Sequence, residues 1–336
     1  MKKFISFILC ITLIFAFVGC GGQTAGGSGG NGDSTGDGAA AGTDTPVNVH
    51  VGTWKTAQTI QPFFYQDNLG PDDKVEVSPF TNPGDMKTGL LAGSLDMCGT
   101  TIVTAITAAS KGEPVVIVCG MANKCSALVV GKDSDIKTEA DLKGKKIAYV
   151  PGTMHHLLLL EVLKKNGLDP QKDVELMRID FFDMGQALAQ GTVDAFYSGE
   201  PYPSMAVAEG YGRILTYPKD DENFGIINSA MIVTKDTIKN NPEMVQKLVT
   251  AHVKATEYLN GDRNAWVDKA AEFGTDKKVL DVAVNNIQLF WKIDDKFLDS
   301  TRNLAERMLE QELITEIPDI DAMFDLSFIE QAEKEL

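Results

Sequence analysis

The chain has 336 residues, of which 43% are hydrophobic, 23% charged and 8% aromatic. That profile excludes a disordered or fibrous protein and suits about two lobes at ~100–200 residues per domain. Asp and Glu number 47 against 31 Lys and Arg, a formal charge of −16. Such a balance argues against a nucleic-acid or anionic-membrane footprint, yet leaves open a small anion held by backbone amides.

At the start, Lys2 and Lys3 precede an apolar run from Phe4 to Val18 that is too short to span a bilayer, so it reads as a signal segment. Phe17-Val18-Gly19-Cys20 resembles a bacterial lipobox, which implies cleavage after residue 19 and lipidation of Cys20. Gly21 to Pro46 has ten glycines and no large apolar side chain, so residues 20–46 are expected to be a flexible tether. Its reach is roughly 28 Å. Cys98, Cys119 and Cys125 remain, an odd number that allows either a Cys119–Cys125 pair or buried free thiols. No Cys/His spacing suggests a metal site. His155 and His156 diverge by about 100° on a helix and would not share an ion.

From residue 47, short apolar strands alternate with helices. Strands are expected at 47–51, 75–80, 95–98 and 115–119, with helices at 85–92 and 102–111. The pattern restarts with strands at 146–150, 174–179 and 193–197 and helices at 153–166 and 184–190. Such alternation predicts an α/β fold with mainly parallel sheets. Asp85–Asp96 matches Asp183–Asp194 at an offset of 98, with five of twelve positions identical. Gly52-Thr53 and Gly152-Thr153 form a second echo at an offset of 100. A third pairs Ser126–Asp133 with Ser229–Asp236, read here as two strands crossing between lobes. Lobe one is then 47–131 plus 229–336, and lobe two, 132–228, is an insertion. Asn241-Pro242-Glu243 opens a helix with a cap, a proline at the first position and an acid in the first turn. Further helices are expected at 265–273, 277–290, 296–311 and 319–332, packed on lobe one.

This arrangement resembles a bacterial substrate-binding protein of an ABC importer, type II topology. Four stretches are similar to the nitrate/sulfonate/taurine family, which also holds binders of thiamine precursors and riboflavin. They are Leu91–Asp96, Ser126–Ala148, Ala187–Phe196 with Glu200-Pro201, and Asn241-Pro242-Glu243. The resemblance implies a two-lobed periplasmic-binding-protein fold with a two-strand hinge and a lipid-anchored extracytoplasmic location. It also implies a monomer that partners a small-molecule solute and the importer's permease and ATPase, with no cofactor and no nucleic acid.

In open α/β sheets, ligands meet the loops beyond the carboxyl ends of the strands. Those loops carry Thr53 and Trp54, Thr100 and Thr101, Thr153, Met154 and His155, then Ser198 and Glu200; Asn228 completes the expected set. Thr153 reads equally as a helix cap and as the start of an anion site. Trp54 reads as a stacking ring or as core, and His155 as a ligand donor or as a solvated first turn. Glu200 reads as an amine receptor or a fixture of the hinge loop. Neutral donors and the lone cation Lys55 favour a sulfonate, taurine or nitrate-like solute. Trp54 with Phe63, Phe64 and Tyr65 favours a planar pyrimidine or flavin-like solute as the alternative. No nucleophile elbow or phosphate-binding loop is present, so an enzyme on this fold is the remote reading.

Overall fold

Alternating valines explain the first strand. Val49 and Val51 are buried while Asn48 and His50 face out along β1 (Asn48–Trp54). A computed structural model describes residues 46–81, 83–218 and 226–336. The expected signal, Cys20 and the tether up to residue 45 lie outside the described residues.

The chain continues through β2 (Lys74–Phe80), α1 (Pro83–Leu91), β3 (Met97–Thr101), α2 (Ile102–Ser110), β4 (Val115–Lys124) and β5 (Ser126–Gly131). The inserted part holds β6 (Lys146–Tyr149), α3 (Met154–Lys165), β7 (Glu175–Arg178), α4 (Phe181–Ala189), β8 (Ala195–Gly199), α5 (Tyr202–Ala208) and β9 (Gly212–Thr216). The return brings β10 (Ile227–Thr234), α6 (Lys235–Asn240), α7 (Pro242–Gly261), α8 (Arg263–Ala271), α9 (Lys277–Ala283), β11 (Ile287–Leu289), α10 (Asp295–Glu310) and α11 (Ser327–Glu333).

Two mixed sheets result. The first has the order β11-β4-β10-β3-β1-β2 and the second β7-β6-β8-β5-β9. In each, the first three strands are parallel, and one antiparallel strand, β10 or β5, lies between the third strand and the next. The sheets are therefore copies of one arrangement.

This placement corrects the expected lobe boundary. Ser126–Gly131 pairs with β8 and β9, so it belongs to the second sheet and not to lobe one. The echo between 126–133 and 229–236 is real, but its two members are equivalent antiparallel strands, not crossings. The outward crossing is Lys124-Cys125, both at positive φ (61° and 57°), where the Lys124 amide donates to the Ile226 carbonyl at 2.8 Å. The Gly-Thr echo does not hold. Strand registers set Val51 against Ile147, so Gly52 corresponds to Ala148, and Gly152 lies in a turn.

The offset of 98 holds residue by residue. Gly93 and Gly191 end α1 and α4 at φ of 73° and 70°, a conformation glycine adopts without strain.

Expected helix 277–290 stops at Ala283. Ile287 and Leu289 are buried on either side of exposed Gln288, and this period of two lets the segment pair with β4. Of 319–332, only Ser327 onward is α-helical. The late helices also reach lobe two: Lys164 of α3 pairs with Glu310 of α10 at 2.7 Å, and Arg307 with Glu161 at 3.5 Å. The three described cysteines are buried and free, so Cys119 and Cys125 do not pair.

Candidate functional site

Helix starts and strand ends from both lobes converge on one cavity of about 340 Å³. Lobe one supplies Trp54 at the end of β1, Gln58 and Thr59 from the turn after it, and Phe80 at the end of β2. It also supplies Thr101, Asn228 and Phe273. Lobe two supplies Thr153 and His155 at the start of α3, Phe181 and Phe182 at the start of α4, and Ser198, Gly199, Glu200 and Tyr202.

Local sequence explains the polar edge. Thr153 has extended backbone and caps α3, accepting the His156 amide at 3.3 Å while donating to the Val150 carbonyl at 2.8 Å. Lys164 and Lys165 complement the other end of that helix. Thr101 caps α2 in the same way, accepting from the Thr104 amide at 3.2 Å.

Seven of the ten expected residues line the cavity: Trp54, Thr101, Thr153, His155, Ser198, Glu200 and Asn228. Thr53, Thr100 and Met154 do not. Thr53 spends its hydroxyl on the Thr59 carbonyl at 2.8 Å, Thr100 points to the Thr101 carbonyl at 3.4 Å, and Met154 is core. At the offset of 98, Thr100 corresponds to Ser198 and Thr101 to Gly199; of these four only Thr100 stays out of the cavity. Trp54 is half-buried, and its ring lies 3.1 Å from where a Cβ on Gly99 would stand.

Sequence reading missed Gln58, Phe80, Phe181, Phe182, Tyr202 and Phe273. Phe181 and Phe182 had a signal, because the offset of 98 places them on Pro83 and Gly84 at the start of α1. Phe80 ends β2 and Tyr202 opens α5, while Gln58 and Phe273 come from turns whose course no periodicity reveals. Phe63, expected near a planar ligand, packs instead on Phe273 with ring centroids 4.9 Å apart.

Electrostatics are lopsided. Lys55 and Glu200 are the only charged residues among those described in the lining, and Lys55 is exposed while Glu200 is 1% exposed. Burial raises the Glu200 carboxyl above its usual range, opposed by hydrogen bonds from Asn286 and Ser204. Burial holds His155 down to about 4, so it is neutral near pH 7. Three buried polar atoms in the lining have no protein partner: Gln58 Oε1, His155 Nδ1 and Ser198 Oγ. Buried polar groups are normally satisfied, so these three are open to a ligand.

Gly199 keeps space clear for its neighbours. A Cβ on it would stand 3.0 Å from His155 Nε2 and 3.3 Å from Gln58 Nε2, so a side chain would intrude on the polar cluster. Glu200 also ties the lobes together. Its amide donates to the Cys125 carbonyl at 2.7 Å, and its Oε1 accepts from Asn286 of lobe one at 2.9 Å.

A second cavity, of about 640 Å³, shares Pro83 and Thr153 with the first and opens onto Lys87, Arg178, Asp180 and Asp183. Its charges balance, and Lys87 is held by Glu113. Among the described residues, no cluster of His, Cys, Asp and Glu is arranged to hold a metal ion.

A family profile described as NMT1/THI5 like matches residues 63–263, more than half of the chain. An Escherichia coli (strain K12) protein named for binding aliphatic sulfonates is 30% identical over 196 residues, covering 57% of this chain and 60% of that protein. The alignment thus spans less than two thirds of that relative. A Brachyspira hyodysenteriae protein named as an ABC transporter periplasmic binding protein is 24% identical, covering 94% of this chain and 93% of its own. Among solved structures, the periplasmic aliphatic sulphonate binding protein SsuA of Escherichia coli superposes with a TM-score of 0.71 at 24% identity, over 82% of this chain and 91% of that one. The desulfurization enzyme DSZB shares the fold at a TM-score of 0.66 and 17% identity, over 86% of this chain and 99% of that one. The two-lobed α/β fold therefore hosts both binders and an enzyme.

Proposed function

The chain belongs to the NMT1/THI5-like family, and we propose that it is the extracytoplasmic solute-binding component of an ABC importer. It captures a small organic or oxyanionic solute between its lobes and delivers it to a permease and its ATPase. One observation carries this reading: equivalent strand ends of two copied sheets meet at a single cavity whose buried polar atoms lack protein partners. The names of the sulfonate and ABC-transporter relatives support it.

Binding without chemistry is the favoured activity. No cysteine stands in the described lining, and burial raises the thiols of Cys98, Cys119 and Cys125, which disfavours the thiolate a nucleophile needs. A planar solute is the second reading, favoured by Trp54, Phe80, Phe181, Phe182, Tyr202 and Phe273 around the cavity.

Anchoring through Cys20 belongs to the same proposal. Replacing Cys20 by Ala should move the protein from the membrane fraction to the soluble exported fraction; an unchanged distribution overturns the tether. Calorimetric titration should find one solute per chain, recovered unaltered. A chemically converted solute would make the chain an enzyme.

A further inference from the structure

We infer that the solute is a neutral aromatic molecule whose polar edge carries both a hydrogen-bond donor and an acceptor, such as an aromatic amide, and that Glu200 selects it. This rests on the solute-binding reading and names the solute for the same cavity.

The argument is one of hydrogen-bond polarity. Gln58 Oε1 is unpartnered and can only accept. Glu200 Oε1 already accepts from Ser204 Oγ at 3.0 Å and Asn286 Nδ2 at 2.9 Å, while Oε2 accepts from the Ser204 amide at 3.2 Å. An ionised carboxylate offers about four acceptor positions, so one remains for a ligand. These two acceptors call for N–H or O–H groups on the solute. Beside them, Ser198 Oγ and His155 Nδ1 are unpartnered and can donate to an acceptor atom.

The cluster is compact. His155 and Gln58 both reach within 3.3 Å of where a Cβ on Gly199 would stand, between Ser198 and Glu200 in sequence. A bare oxyanion has acceptors only. It would satisfy Ser198 and His155 but leave Gln58 unpaired and set a negative charge against Glu200, with no buried cation in the described lining to offset it. Trp54, Phe80, Phe181 and Phe273 supply apolar faces that suit an aromatic body.

The test is calorimetric titration of the purified protein with benzamide, benzoate, acetamide and ethanesulfonate. Benzamide and benzoate share shape and differ in the donor and the charge. Benzamide should bind at least about tenfold tighter than benzoate, and acetamide should be weaker than benzamide for want of the ring. In E200Q, checked for an unchanged melting temperature, the gap between benzamide and benzoate should collapse, because a neutral amide no longer repels the carboxylate. If E200Q melts early, Gln58→Glu adds a second negative charge beside the cluster and should widen the gap.

Benzoate or ethanesulfonate binding as tightly as benzamide to the wild type overturns the inference, as does silence from benzamide. Ethanesulfonate binding that contracts the scattering radius would do so while leaving the importer reading intact. Failure of the protein to stimulate its importer's ATPase with any bound solute would defeat that reading instead.

Discussion

Asp96 and Asp194 make the same bond in different lobes: each Oδ2 accepts a backbone amide of the first strand of its own sheet at 2.8 Å, from His50 and from Lys146 respectively. Each aspartate amide also donates back to that residue's carbonyl at 2.8 Å. The carboxylate thus fixes the third strand beside the first in both copies, which explains why the matching segments of the sequence end on aspartate.

Replacing Asp96 or Asp194 by Ala should therefore cost about 1 kcal/mol of stability each, near the low end for charge-assisted bonds because both groups are half-exposed. The two losses should add, since the sites share no partner. Urea unfolding midpoints of the single and double variants check this. A double variant no worse than one single variant would contradict it.

Thr153 serves as both cap and cavity wall. Thr153→Val removes the acceptor for the His156 amide and the donor to Val150, at about 1 kcal/mol. Solute affinity should fall several-fold as the start of α3 loosens beneath His155. Unchanged affinity in a destabilised variant would show that the start of α3 takes no part in binding.

The crossing between lobes depends on two consecutive residues in left-handed conformation. Lys124→Pro cannot adopt φ near 61° and deletes the amide that bonds Ile226, so it should weaken folding strongly. Gly131→Ala, at the far end of β5 with its nearest neighbour 3.8 Å from the new Cβ, should be mild. Circular-dichroism melting of the two variants distinguishes them, and equal effects would contradict the assignment of the crossing to Lys124-Cys125.

Acid should destabilise the protein in a defined window. Burial lowers both His155 and His252 to about 4 from an unfolded value near 6.5. His252 is held neutral between the Tyr65 hydroxyl and the Gly120 carbonyl, each at 2.7 Å. A depressed histidine leaves the unfolded chain binding more protons between these values, so stability is full above pH ~6.5 and declines as pH falls towards 4. Glu200, shifted upward, works in the opposite sense but is a single group. Melting temperatures measured from pH 7.5 to 4.5 should fall steadily below 6.5. A flat profile would contradict the buried neutral histidines.

Much of the fold was legible because strands and helices of this kind announce themselves by period and by capping residues. Thr153 was readable as a cap before an apolar helix, and the match at an offset of 98 marked α1 and α4, the helices that Gly93 and Gly191 end. What was not legible depends on partners distant in sequence. Ser126–Gly131 looks the same whether it crosses between sheets or joins one, and only its pairing with β8 and β9 decides. Phe273 reaches the cavity from the end of α8, more than 200 residues after Trp54, through a course no local pattern encodes. Thr53 and Thr100 were plausible as binding hydroxyls, and their bonds to nearby carbonyls remove them.

Small-angle scattering of the purified protein, alone and saturated with whichever titrated solute binds tightest, tests solute capture between the lobes most directly. The radius of gyration should fall on saturation, because a solute touching both lobes favours the closed arrangement through its differential affinity. It should recover when the solute is dialysed away unchanged. A radius that stays constant at saturation would contradict capture by closure.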